Sequence, residues 1–115
     1  MLKMFRSSAP RFTAKDALAR KGDVTLIDVR EAAEIKASGQ AAGALHIPLS
    51  LVVMKADPKS PDYDPRIAQG VPVCVYCASG GRSGMAAQAL SKLGYEAHNI
   101  GGFGDWVSAG GEISR

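Results

Sequence analysis

The stretch Val73-Cys74-Val75-Tyr76-Cys77-Ala78-Ser79-Gly80-Gly81-Arg82-Ser83-Gly84 constrains this chain more than any other. An apolar run ends in a cysteine, a turn of small residues follows, and a helix-forming segment begins. A strand, a tight loop and a helix in that order turn the backbone N–H groups of the loop and of the first helical turn toward one point. The partial positive charge at the helix start adds to them. A thiol at the entrance to such a nest is biased toward thiolate, the form that attacks and carries groups. Arg82 adds a permanent cation. Cys77 therefore reads as a nucleophile in an anion-binding cup, with the bland alternative of a buried structural cysteine before an ordinary loop.

The rest of the chain supplies a scaffold for such a junction. Thr13 and Asp16 have the spacing of a capping box, with Phe12 and Ala17 as a staple, and open a helix that runs to about Arg20. Val24 to Val29 is a β-branched apolar run, read as a buried parallel strand ending in the polar group Asp28-Val29-Arg30-Glu31. Residues 31–38 form a short helix, Ala44 to Ile47 a small strand, and Ser50 a cap for a helix over Leu51 to Ala56. Asp64-Pro65 reads as the start of another short helix. Val71 to Tyr76 is the central strand. Ser83 to Leu93 is a helix built on Met85, Ala86, Ala89, Leu90 and Leu93. Ala97 to Ile100 is the last strand, and Phe103 to Ala109 a final helix packing Phe103, Trp106 and Val107. Residues 1–11 read as a ragged extension, with a short edge strand at Lys3 to Arg6. Alternating strands and helices predict an α/β fold, a mostly parallel sheet of about five strands with helices on both faces. A chain of 115 residues is expected to make one domain.

Fourteen Lys and Arg against 11 Asp and Glu give a net charge of +3, which suits small anionic ligands. No basic cluster supports nucleic-acid binding. Two cysteines make no disulfide framework and point to a reducing compartment. Residues 1–6 hold no apolar run long enough for a signal peptide or a membrane span, so a cytoplasmic location is expected.

Cys74 and Cys77 form a Cys-x-x-Cys, but residues three apart on a strand face opposite sides and lie roughly 10 Å apart. A disulfide needs less than about 7 Å, so dithiol redox is disfavoured and Cys74 reads as a small core residue. The same geometry argues against a metal site built from the cysteines with His46 and His98. Both histidines read as structural. Arg30, Glu31 and Glu34 are best read as a salt-bridge cluster. Asp28 belongs to the edge of the sheet where ligands bind. Asp28 and Arg30 are carried as candidate supporting residues.

Four blocks then resemble a known family. Asp28-Val29-Arg30-Glu31, Gly43-Ala44-Leu45-His46-Ile47-Pro48-Leu49, Cys77-Ala78-Ser79-Gly80-Gly81-Arg82-Ser83, and Gly101-Gly102-Phe103 with Trp106 are similar, in order and spacing, to a single-domain rhodanese. The likeness covers nearly all of the chain from Thr13 onward. One departure is Gln40, where the family often has a histidine. The resemblance implies a rhodanese-like three-layer sandwich and thiosulfate-type sulfurtransferase chemistry through a persulfide on Cys77, with no cofactor and no metal. Ala78, Ser79, Gly80, Gly81, Arg82 and Ser83 would bind the donor through backbone N–H groups, and the Arg82 side chain would clamp its sulfonate end. The implied partners are a small anionic sulfur donor and a thiol or cyanide acceptor, with a sulfur-relay protein as a further candidate and neither nucleic acid nor membrane. The alternatives are a non-catalytic binding or sulfur-relay module, or a cysteine-based phosphatase or arsenate reductase on the same scaffold. Those enzymes have one more residue in the loop, whereas four residues separate Cys77 from Arg82 here.

Overall fold

A computed structural model describes residues 12–115. The edge strand expected at Lys3 to Arg6 lies outside the described residues. Four parallel strands form the central sheet: β1 (Thr25–Asp28), β3 (Leu45–His46), β4 (Val73–Cys77) and β5 (Ala97–Gly102), in the order β3-β1-β4-β5. Two further short strands, β2 (Gln40–Ala41) and β6 (Ile113–Ser114), pair antiparallel in a separate ribbon. The sheet thus has four strands among the described residues.

β1 and β4 are buried along their whole length, as expected of strands covered on both faces. Their alternation sorts two cores. Ile27, Val73, Val75 and Cys77 face one side, with α3 (Val52–Ala56) and α4 (Gly81–Lys92). Leu26, Cys74 and Tyr76 face the other, with α1 (Ala14–Ala19) and α5 (Phe103–Ser108). The two cysteines therefore lie on opposite sides of the sheet, and both are free thiols. Burial pushes the Cys74 thiol up to about 12, which makes it an inert core group.

Local chemistry places the helices. The capping box of α1 is present: the Thr13 N–H donates to Asp16 at 2.8 Å and the Asp16 N–H donates to Thr13 Oγ1 at 3.3 Å. α4 starts at Gly81 rather than Ser83, because Gly80 takes a left-handed conformation with φ of 106° and turns the chain straight into the helix. On α4, Ser83, Ala86 and Leu90 are buried, whereas Met85 is 56% exposed. The buried stripe runs through Ser83, Ala86 and Leu90 and leaves Met85 on the solvent face. Val107 of α5 is likewise exposed, and Trp106 carries the packing there. Ser50 caps nothing: it lies in a 3-10 turn, Leu49–Leu51, that runs into α3. Asp64-Pro65 opens a turn and not a helix. The Asp64 side chain takes the Arg66 N–H and guanidinium, and the Ile67 N–H closes on the Asp64 carbonyl at 2.9 Å, so Ile67 drops into the core.

The β1–α2 turn is tied down by a buried ion pair, with α2 spanning Ala32–Ser38. Arg30 donates from Nε and Nη2 to both oxygens of Asp28, and from Nη2 to the Gly39 carbonyl and Nη1 to Ser38 Oγ. Its guanidinium carbon lies 4.5 Å from the centre of the Phe103 ring. The His46 ring sits 2.8 Å from the Arg30 carbonyl. Both charges are nearly inaccessible, so removing one leaves the other buried and unpaired. Arg30→Ala is expected to lower stability by about 3–5 kcal/mol in urea denaturation, and Arg30→Lys to recover little of it, because the planar fork is lost. A loss below about 1 kcal/mol would show that the pair is dispensable.

Candidate active site

Cys77 is the last residue of β4 and is 1% exposed. The positive φ of Gly80 folds the chain back over it, and the start of α4 closes the cup. The Gly80 N–H at 3.0 Å, the Ser83 N–H at 3.4 Å and the Ser83 hydroxyl at 3.3 Å donate to Sγ, and the Ser79 N–H also acts on it. Burial alone would push the Cys77 thiol up. The hydrogen bonds from the Ser83 hydroxyl and from the N–H groups of Ser83, Gly80 and Ser79 outweigh it and bring the thiol down to about 7. Donors that favour the anion thus win against desolvation.

The outer side of the loop is open. Ser79 and Gly80, with Asn99 and Gly101, border a cleft of about 590 Å³ that also meets Lys15 of α1 and Ser108 of α5. On the inner side β5 supports the loop at close range. Cys74 and Val75 pair with His98 and Asn99, but Cys77 pairs with Gly102, so β5 carries an extra residue between these points. Gly101 takes up this bulge with φ of 97°. A Cβ on Gly102 would run into the Ala78 carbonyl oxygen. Glycine there lets β5 approach the loop backbone directly.

Arg82 takes a different position from the one expected. Its guanidinium makes a bidentate pair with Glu34 of α2, at 2.7 and 2.8 Å. Arg82, together with the Glu31 N–H, holds the Glu34 carboxyl down at about 2. The pair is about one-third exposed on each side, and it stitches the β1–α2 turn to the start of α4. Of the residues singled out from the sequence, Cys77, Ser79, Gly80 and Ser83 come together at the sulfur. Ala78 lies between them against Gly102, and Gly81 begins the helix. Asp28 and Arg30 are engaged with each other and with α2, in a structural tie. Sequence reasoning missed Asn99. Its Oδ1 takes the Ser83 hydroxyl at 2.7 Å, and its Nδ2 donates to the Gly80 carbonyl at 2.9 Å. The available signal was a carboxamide near the carboxyl end of a parallel strand, just before Gly101-Gly102.

The thiolate fraction should rise through about pH 7. The rate of Cys77 alkylation by iodoacetamide is expected to follow that midpoint, and Ser83→Ala to move it upward. A midpoint in the usual thiol range for the unaltered protein would contradict the geometry. The folded thiol is lowered from its usual value of about 9 to about 7, so the unfolded chain holds more protons between these values. The stability contributed by Cys77 ionisation is complete above pH 9 and is lost as pH falls through 7.

The family model for the rhodanese-like domain matches residues 13–109. An uncharacterized protein of Bacillus subtilis is 41% identical over 76% of this chain and 62% of its own length. The thiosulfate:glutathione sulfurtransferase of Saccharomyces cerevisiae is 34% identical over 78% of this chain and 69% of its own length. The chain thus spans a little under two thirds of the first of these relatives. Among solved structures, a protein of unknown function from Rhodopseudomonas palustris, described as a possible tyrosine phosphatase, superposes with a TM-score of 0.80 at 34% identity. That match covers 95% of this chain and 87% of the other.

Proposed function

Since the chain belongs to the rhodanese-like domain family, we propose that it is a sulfurtransferase that moves sulfane sulfur from a thiosulfate-type donor to a thiol or cyanide acceptor. The observation that carries this reading is Sγ of Cys77 among converging donors, with its thiol brought down to about 7. The Cys77 thiolate attacks the outer sulfur of the donor. The Sγ–S bond forms as the donor S–S bond breaks, and sulfite leaves with the bonding pair. The persulfide anion then lies where loop N–H groups stabilise its outer sulfur. An acceptor thiolate attacks that sulfur, takes it as its own persulfide, and returns Cys77 as thiolate. No net proton is required. The thiosulfate chemistry named for the yeast relative supports the same donor class.

The phosphatase reading attached to the Rhodopseudomonas protein finds less support in this chain. The loop from Cys77 to Arg82 is short, and its donors already crowd the sulfur, whereas in-line phosphoryl transfer needs donors for three equatorial oxygens.

Incubation with thiosulfate should add about 32 Da, one sulfur atom, to Cys77, reversibly with cyanide. Cys77→Ser should abolish sulfur transfer, and Cys74→Ala should leave turnover largely intact. Loss of turnover in a folded Cys74→Ala variant would return the case to a dithiol mechanism. Arg82 meets the donor only by exchanging Glu34. Glu34→Gln should therefore lower the KM for thiosulfate and Arg82→Ala raise it, each with a smaller change in kcat. Unchanged KM in both would assign donor binding to the backbone N–H groups alone.

A further inference from the structure

The Ser83 hydroxyl has one proton and two strong claims on it. Cys77 Sγ lies at 3.3 Å and Asn99 Oδ1 at 2.7 Å. The amide orientation of Asn99 is determined by two backbone groups. The Gly101 N–H donates to Oδ1 at 3.0 Å, and Nδ2 donates to the Gly80 carbonyl at 2.9 Å. A flipped amide would set donor against donor and acceptor against acceptor at both contacts. Oδ1 is therefore an acceptor facing Ser83, and it already holds the Gly101 N–H. It stays satisfied when the Ser83 proton leaves. Ser83 itself is fully buried, with the Gly101 carbonyl at 3.4 Å as a third, longer acceptor.

We propose that Asn99 is a positioning residue for Cys77: it holds the Ser83 hydroxyl proton while the sulfur is neutral and yields it to Sγ when the sulfur is a thiolate. A neutral thiol or the inner sulfur of a persulfide is a poor acceptor, so the hydroxyl turns to Asn99 and no buried donor is left unpaired. A thiolate is a charged acceptor and draws the hydroxyl back, because charge-assisted bonds are the stronger ones. The single hydroxyl thus follows the charge on sulfur through each half of the transfer cycle. Asn99 also anchors the loop through the Gly80 carbonyl, and the Gly80 N–H is itself a donor to Sγ. The charged groups nearby are Arg82, paired with Glu34, Asp28, paired with Arg30, Asp105, which takes the Gly102 N–H, and Lys15 of α1, which borders the same cleft as Asn99 and Gly80. His46 contacts the Arg30 carbonyl.

The inference rests on Cys77 as a thiolate, as the proposed function does, but its test needs no sulfur donor. The pH midpoint of Cys77 alkylation by iodoacetamide is measured for Asn99→Ala and Asn99→Asp, each with Ser83 present and in a Ser83→Ala background. Cys74, buried and with its thiol up at about 12, adds no competing signal. Asn99→Ala loosens the loop in both backgrounds, which raises the midpoint. With Ser83 present, the freed hydroxyl proton goes to sulfur and offsets part of that rise. The upward shift should therefore be smaller with Ser83 than without it, by at least threefold in the acid constant. Asn99→Asp places a charged acceptor beside the hydroxyl and withholds the proton from sulfur, so its upward shift should be larger with Ser83 than without it. The two substitutions couple to Ser83 with opposite signs, which a role in packing alone would not produce. Additive shifts, or couplings of one sign, would overturn the proposal. A measurement on the unaltered sequence guards against loss of fold in the variants. The Asn99 side-chain amide resonance should titrate with the Cys77 midpoint and cease to do so in Ser83→Ala. A resonance indifferent to Cys77 would equally overturn the proposal.

Discussion

Convergence of hydrogen-bond donors on one buried sulfur is the interaction on which the structure turns. A thiolate enclosed by apolar side chains is costly unless donors surround it. Here Val75 and the α4 residues Ala86 and Leu90 share its core, while Gly80 and Ser83 point N–H groups at it. The strand has to end at Cys77, the chain has to reverse in three residues, and the helix has to begin at once. Only a residue tolerating a left-handed backbone makes that turn, and Gly80 does so. The sheet then holds the junction still. β4 is flanked by β1 and β5, and the bulge at Gly101 brings β5 under the loop, where Gly102 leaves room for direct backbone approach.

Two ion pairs around this junction behave differently because their solvation differs. Asp28 and Arg30 are out of water, satisfied at nearly every polar atom, and locked to the end of α2. Such a pair defines a geometry more than it adds net stability, since desolvation opposes the Coulomb gain. Arg82 and Glu34 are partly solvated, so their attraction is screened and exchange with an incoming anion costs less. The first pair holds the β1–α2 turn in place. The second ties the start of α4 to α2 and compensates the Arg82 charge.

Strong local signals in the sequence correspond to well-placed elements. The Thr13–Asp16 box begins α1, the apolar runs of β1 and β4 lie at the sheet centre, and opposite faces separate Cys74 from Cys77. Weaker signals failed where tertiary contacts outvoted local preference. Pro65 follows a good capping residue, yet Asp64 uses its carboxylate on Arg66 and the chain turns instead of coiling. Met85 and Val107 have helical spacing with core residues, but the rotation of α4 and α5 against the sheet leaves both in solvent. The pairing of Gln40–Ala41 with Ile113–Ser114 joins segments more than seventy residues apart, and no local pattern announces it.

By itself, the sequence determined the strand–loop–helix junction, the cysteine at its turn, and the small residues that let N–H groups gather around it. These follow from covalent order and backbone sterics, which act within a few residues. The tertiary structure alone decided what those groups meet. It turned Arg82 onto Glu34, 48 residues away, and brought Asn99 from β5 to the Ser83 hydroxyl and the Gly80 carbonyl. The reason is physical: a side-chain hydrogen bond of about 3 Å depends on sheet register and helix rotation, and both are settled by burial of the whole core.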